Sequence, residues 1–366
     1  MTPPPIPLLK VRGGHREAGA QIGERCATTL RRAAAFEGQE IPEGRSRPEQ
    51  LALADRYREI TYAAYPWYAE EIEGAAEAAD VDPRALFACA VEEIWYVPQA
   101  RRLKGRCTDV VAVAPASRDG HALVGHNNDM SRTYQDELVA IEWTIPGDPM
   151  AMTIGNGIWI SCGWNDAGLS MTGNQLAPLD ERVGIPREVQ FRSMLRQPTM
   201  ERAVGEALRH DRASSYNQVL VSRAGEVVNV EGSATDAELT SADGRGHLVH
   251  TNHYVGERML RYEGDRMYAV RSARRLRRAA LLLEAGCPGS ITVETLRAIL
   301  SDHDGAPDCL CRHPERFGGP RDPATAFWWI ADVTDMRLAY GRGNPCDSIE
   351  QEYVFSAEAS QERATA

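Results

Sequence analysis

At residue 107 the hydrophobic pattern of this chain changes period, and that change limits the folds open to it. Ahead of it, Ala18, Ile22, Cys26, Leu30 and Ala33 recur every three to four residues, the spacing of one buried helical stripe. A second helical run covers roughly 51–79. Asp82-Pro83 then predicts a helix start, with Asp82 as N-cap and Pro83 in the first turn; Leu86, Phe87, Ala90, Ile94 and Trp95 follow, and the helix is expected to end near Pro98. From Cys107 onward come short β-rich runs, TDVVAVAP, HALVGHN, LVAIEWTI and MAMTIGNGIWISCG. Turn signals divide them, Ser117-Arg118-Asp119-Gly120 and Asn165-Asp166-Ala167-Gly168 among them. Helices return after Pro186 and from about Met200. The strands NQVLVS, EVVNVEG and HLVHTNH follow, then a helix opening on RSARRLRR, then FWWIADV, MRLAYG and QEYVF. Runs of strands and runs of helices, without βαβ alternation, indicate an α+β fold. No repeat or low-complexity linker interrupts the chain, so 106/107 reads as a change of element type within one domain.

Composition excludes several functions. A chain of 366 residues, 43% hydrophobic, can bury a sizeable core. Its formal charge of -11 argues against nucleic acid as a partner. The exception is 271–278, RSARRLRR, read here as a surface helix with a basic face. No run approaches the ~18 apolar residues of a membrane span. MTPPPIPLLK lacks the basic start and apolar stretch of a secretion signal, so a cytoplasmic protein is expected. Eight scattered cysteines do not form a disulfide framework. No phosphate-binding glycine loop is present, and no cofactor and no metal are expected.

Cys107 stands apart from the other cysteines. It follows the basic, polar stretch RRLKG, which reads as an exposed loop, and so it makes a poor packing residue. A thiol titrates near 8.5 and usually needs a base. An N-terminal cysteine supplies its own, because an α-amine titrates near 7.7–8.0 and can take the thiol proton. Such a terminus would arise if the thiol attacked the carbonyl of residue 106 and water hydrolysed the resulting thioester, with Gly105 easing the local backbone.

GRCTDVVAVAPASRDGHALVGHNND, with its Cys107-Thr108 pair and Asn127-Asn128-Asp129, resembles the processing site and first hairpin of the isopenicillin-N acyltransferase family of N-terminal-nucleophile hydrolases. LKVRGGHREAGAQIGE, GWNDAGLSMTGNQL, HLVHTNHY, SDHDGAPDCLCRH and MRLAYGRGNPC fit the same family in the expected order along nearly the whole chain. The resemblance implies a four-layer αββα sandwich. It also implies an α chain (1–106) that is released by self-cleavage and stays associated with a β chain (107–366), together one domain. Cys107 is then the nucleophile. Asn252 is the main oxyanion donor, Asn174 a second contributor through backbone or side chain, and Asp129 the carboxylate that holds the nucleophile's amine. Arg312 matches a family arginine, and Thr108 is a candidate helper in self-cleavage. Where the family often has glycine before the nucleophile, this chain has Arg106, which bears on the rate of cutting. His253 and His303 read as packed or capping residues.

The expected activity is a self-processed cysteine amidohydrolase or acyltransferase working through an acyl-enzyme thioester. Its partners would be a small N-acyl amine or acyl thioester and its own cleaved α chain, with homo-oligomerisation left open. Two other readings stand beside it. One is a small-molecule binder on the same fold with the chemistry lost. The other is a zinc hydrolase using Cys309, Cys311 and His313, with His250 and His253 as added ligands, although zinc sites usually show C-x₂₋₄-C spacing.

Overall fold

A computed structural model describes residues 3–37, 41–95, 106–313 and 323–355. Fourteen strands and ten α-helices are described. The strands are β1 (Leu8–Arg12), β2 (Arg106–Ala112), β3 (Leu123–Met130), β4 (Val139–Thr144), β5 (Ala151–Asn156), β6 (Trp159–Asn165), β7 (Leu169–Asn174), β8 (Asn217–Ser222), β9 (Val227–Gly232), β10 (Ala237–Thr240), β11 (His247–His250), β12 (Ala324–Asp332), β13 (Arg337–Arg342) and β14 (Gln351–Val354). The helices are α1 (His15–Arg25), α2 (Ala27–Ala34), α3 (Arg47–Ala64), α4 (Pro66–Ala79), α5 (Pro83–Ala90), α6 (Arg132–Asp136), α7 (Arg187–Leu195), α8 (Met200–Ala207), α9 (Arg266–Glu284) and α10 (Val293–Leu300).

The strands form an eight-stranded sheet in the order β1-β4-β5-β6-β7-β8-β9-β10 and a six-stranded sheet in the order β11-β2-β3-β12-β13-β14. Strand alternation sorts their side chains into three cores. Between the sheets, Ala140, Met152, Cys162 and Trp164 meet Val111, Val124, Trp329 and Leu338. On the outer face of the first sheet, Val139, Ile141 and Trp143 pack with Ile22, Tyr68, Phe87 and Leu195 from helices α1, α4, α5 and α7. On the outer face of the second, Val110, Ala112 and Ile330 pack with Ala279 and Leu283 of α9 and Leu296 and Leu300 of α10. The layers are therefore αββα, as expected.

The N-terminal hundred residues depart from the expectation in three ways. They are not wholly helical: β1 joins the edge of the first sheet, parallel to β4, the one parallel pairing in that sheet. Both long helical runs are broken. The first splits at Cys26 into α1 and α2. The second splits at Tyr65, because the residue before Pro66 is pushed out of the helical region. The helix begun at Asp82-Pro83 stops at Ala90, and its projected end at Pro98 lies outside the described residues. Glycines in this segment have a packing reason. A Cβ at Gly19 would stand 2.2 Å from the Glu71 carbonyl oxygen and one at Gly74 2.1 Å from that of Arg16, so α1 and α4 touch backbone to backbone.

Candidate active site

Arg106 opens β2 and pairs with Asp129 of β3; Cys107 pairs with Asn128. The bond between 106 and 107 thus enters a regular ladder, while Gly105 and the rest of the basic loop lie outside the described residues. Alternation sends Cys107 and Asp109 toward the space between the sheets and Thr108 toward the α9 and α10 layer. Cys107 is 6% exposed, more buried than a loop junction suggested. Thr108 is buried on the opposite face, and its Oγ1 has no hydrogen-bond partner among the described residues.

The nucleophile candidate sits at one end of a cavity of about 270 Å³. The second sheet supplies Cys107, Asn128 and Met130. The first sheet supplies Trp159 and Ser161, and the residue just past β7 supplies Gln175. The segment ahead of residue 106 contributes Thr29, Ala33, Cys89 and Trp95, so the proposed α chain forms part of the cavity wall.

Around the backbone of Cys107 the contacts are polar and buried. Its N–H donates to Asn252 Oδ1 at 2.7 Å. Its carbonyl oxygen accepts from Arg275 Nη1 at 3.3 Å, and Arg275 Nη2 donates to Asn252 Oδ1 at 2.8 Å. With donors fixing the oxygen end of the Asn252 amide, its Nδ2 donates to the Gln175 carbonyl at 3.1 Å. That leaves one Nδ2 hydrogen for a further acceptor. β11 explains why Asn252 is there: it pairs with β2 as far as His250 and Asp109, and two residues on the chain reaches Cys107.

Asp129 lies on the helix side. It accepts from Thr325 Oγ1 at 2.8 Å and stands 3.8 Å from Arg275 and 3.9 Å from Arg312. Burial pushes its carboxyl above the usual range, against the pull of Arg312 and Arg275. In the uncut chain, then, Asn252 rather than Asp129 holds the Cys107 nitrogen. The Asn174 side chain does not line the cavity. Its Oδ1 meets His250 Nδ1 at 2.8 Å, and its Nδ2 is buried with no hydrogen-bond partner among the described residues. Only its neighbours Gly173 and Gln175 line the cavity.

Two features escaped the sequence reading. Arg275 belongs to the basic run taken as a surface face, yet it is 2% exposed. One turn of α9 points it inward while Arg271 and Arg274 stay outside, a distinction that composition cannot make because all five arginines of the run look alike. Behind the thiol, His126 Nδ1 lies 2.7 Å from Asp109 Oδ1, both side chains fully buried. Burial alone would push the His126 pKa down, but Asp109 and the Cys107 thiol lift it to about 10. Asn128 Nδ2 lies 3.8 Å from Cys107 Sγ and 3.5 Å from His126 Nε2, bridging the two. A histidine directly ahead of the Asn127-Asn128-Asp129 motif was the only available signal.

Of the alternative zinc ligands, His250 binds Glu231 at 2.6 Å, His253 meets Ser272 at 2.9 Å, and Cys309 Sγ donates to the Cys311 carbonyl. The set Cys309, Cys311, His313, His250 and His253 is therefore not brought together. His253 is half-buried, and its loss of solvent pulls its pKa down to about 4, in keeping with a packed residue.

Arg275 should be measurable as a keystone. Replacing it with Met removes charged hydrogen bonds to Cys107 O and Asn252 but leaves Arg312 beside Asp129. A stability loss of about 1.5–3 kcal/mol is expected. Urea unfolding in an uncut Cys107→Ala background, where processing cannot confuse the comparison, reads it.

Residues 116–319, more than half of the 366, match the family model described as acyl-coenzyme A:6-aminopenicillanic acid acyl-transferase. The chain belongs to this family. The matched segment contains Asp129, Asn174, Asn252 and Arg312 and begins after Cys107. A relative from Emericella nidulans, "Acyl-coenzyme A:6-aminopenicillanic-acid-acyltransferase 40 kDa form", is 27% identical over 217 residues, 57% of this chain and 59% of that protein. The match thus spans less than two thirds of that family member's length. Among solved structures, a variant of the conjugated bile acid hydrolase from Clostridium perfringens covers 68% of this chain and 97% of its own, at 12% identity and a TM-score of 0.46. Penicillin V acylase from Agrobacterium tumefaciens covers 64% and 83%, at 14% identity and a TM-score of 0.45. Among the described residues, no helix is long and apolar enough to cross a membrane.

Proposed function

We propose that this family member is a cysteine amidohydrolase or acyltransferase that cuts itself before Cys107 and then uses that residue as an N-terminal nucleophile. The observation that carries the reading is the placement of Cys107: its thiol faces a cavity, while its own nitrogen and carbonyl are gripped by Asn252 and Arg275.

Before cutting, no free amine exists to activate the thiol. The raised pKa of His126 keeps positive charge behind Sγ, to which the Asn128 amide links it. Sγ attacks the Arg106 carbonyl carbon, the bond to the Cys107 nitrogen breaks, and that nitrogen takes the proton the thiol gave up. Water hydrolyses the thioester, which leaves a carboxylate on Arg106 and a free α-amine and thiol on Cys107. In turnover the amine takes the thiol proton, Sγ attacks the substrate acyl carbon, and the departing amine takes the proton. Water or a second amine then resolves the acyl-enzyme.

Glu37, Glu92, Glu137 and Glu188 line the cavity with Arg32 as its basic member, and Arg32 bonds Glu37 and Glu137. Such a lining disfavours burying a polyphosphate donor inside it and suits a small N-acyl amine whose amine part is neutral or cationic. The test is a panel of N-acyl amines and acyl thioesters assayed on protein shown by mass spectrometry to be cut. A protein that stays one intact chain and turns over none of them would instead support the binding-protein reading.

The cavity also sets a pH dependence. Burial, with the Glu92 charge beside it, lifts the Glu188 pKa to about 8, although the Ile160 N–H and Tyr216 hydroxyl bond its oxygens. A raised carboxyl pKa means that Glu188 is neutral below about pH 8. As pH rises from the ordinary carboxyl range through about 8, the folded state loses stability relative to the unfolded one. For a substrate with an apolar acyl group, KM is expected to rise roughly fivefold as pH passes 8, equivalent to about 1 kcal/mol. Glu188→Gln should flatten the KM profile while keeping the kcat profile set by the α-amine. A KM profile unchanged in that variant would place the titrating group elsewhere.

A further inference from the structure

Away from the cavity, three separate stretches of chain bring four metal-binding side chains together. His303 comes from the turn after α10, Cys311 and His313 from the irregular segment before β12, and Cys346 from the turn after β13. Cys311 Sγ lies 3.6 Å from Cys346 Sγ and 3.4 Å from His313 Nε2. His313 Nε2 lies 3.3 Å from Cys346 Sγ, which lies 3.7 Å from His303 Nε2. All four ligand atoms fall within 4.8 Å of one another. A zinc tetrahedron with Zn–S near 2.3 Å and Zn–N near 2.0–2.1 Å has S···S edges of about 3.8 Å and S···N edges of about 3.6 Å. The observed edges cluster on those values, and the sulfurs are well beyond the ~2.05 Å of a disulfide.

We propose that His303, Cys311, His313 and Cys346 bind one zinc ion in a closed, four-coordinate structural site. Two thiolates and two imidazoles in a tetrahedral arrangement select zinc over the hard, oxygen-seeking cations. With all four positions filled by protein, no position remains for a water or substrate, so the ion holds structure rather than performing hydrolysis. Asn344 Nδ2 donates to Cys311 Sγ at 3.2 Å, the kind of N–H···S contact that steadies a metal thiolate. The ion would pin the stretch that carries Arg312. That residue lies between two ligands, its N–H bonded to Thr325 Oγ1 at 3.0 Å and its carbonyl accepting from Asn344 at 2.8 Å. The zinc site would stand even if Cys107 proved not to be a nucleophile. It departs from the expectation that the chain holds no metal. Spacing could not reveal it, because the fourth ligand, Cys346, lies far along the chain from the other three.

The test is metal content and spectroscopy on the full chain. Protein dialysed against metal-free buffer should retain about one zinc per chain. Cobalt put in its place should give the intense visible bands of a tetrahedral ion with a near-ultraviolet thiolate-to-cobalt band. Cys346→Ser and His303→Ala, at the two less buried positions, should each weaken zinc binding by more than the roughly 10–100-fold that losing an outer hydrogen-bonding partner costs. Cys309→Ser should keep one equivalent. The proposal is overturned if the wild-type chain takes up neither zinc nor cobalt, or if non-reducing mass spectrometry finds a Cys311–Cys346 disulfide in metal-free protein. It is equally overturned if the Cys346→Ser/His303→Ala double variant retains one zinc with the same cobalt spectrum.

Discussion

Cys107→Ala is expected to give one uncut chain of 366 residues with no measurable turnover, whereas the native protein should separate under denaturing conditions into 1–106 and 107–366. Under native conditions the two pieces should elute together. The reason is burial. Val11, Ala18, Ile22, Leu30, Tyr68, Ile72 and Phe87 of the first piece are at most 1% exposed, and β1 completes the edge of the first sheet through β4. Fully burying each large apolar side chain contributes roughly 1.5–3 kcal/mol, far more in sum than a pair of separated chains could forgo. The substitution should cost little stability of its own, since Cys107 sits against a cavity rather than in a packed core. Intact-mass measurement decides the matter: a Cys107→Ala chain still cut before residue 107 would rule out self-cleavage by this thiol.

Asn252→Ala is expected to lower kcat by about 10²–10³ in protein that has been cut, the usual cost of losing one oxyanion donor, or roughly 3–4 kcal/mol. Its geometry adds a second expectation. Because Asn252 Oδ1 holds the Cys107 N–H, the same variant should cut itself more slowly, with the scissile nitrogen no longer oriented. The two effects separate by experiment. Time-resolved mass spectrometry follows processing, and single-turnover acylation on the cut fraction follows catalysis. Near-normal acylation by cut Asn252→Ala protein would remove this residue from the catalytic step and leave only its hold on the nitrogen.

The candidate site was legible to different depths. Cys107 stood out because a cysteine between a basic loop and a strand has no packing purpose, and the motif carrying Asp129 and the HTNH strand carrying Asn252 lay in recognisable local patterns. Both residues lie against Cys107 or its immediate partners. Asn174 and Thr108 were named from the same kind of local pattern, but neither lines the cavity: register turns Thr108 to the helix face, and the Asn174 side chain is engaged by His250. Arg275 and His126 went unnoticed for the opposite reason. One was hidden among like-charged neighbours. The other looked like any histidine in a hairpin until folding set it against Asp109.

Hydrophobic period by itself determined the α+β class, the change of element at 107 and most strands, since alternation and 3.6-residue spacing are local properties that survive without any partner. Resemblance over the whole chain supplied the αββα layering before any coordinates. Only the tertiary structure decided which arginine of a basic helix is buried and which piece of the chain walls the cavity. It alone brought His303 and Cys346 to Cys311 and His313. Those facts depend on which distant segments pack together. That choice follows from burying three cores at once, and no window of sequence contains it.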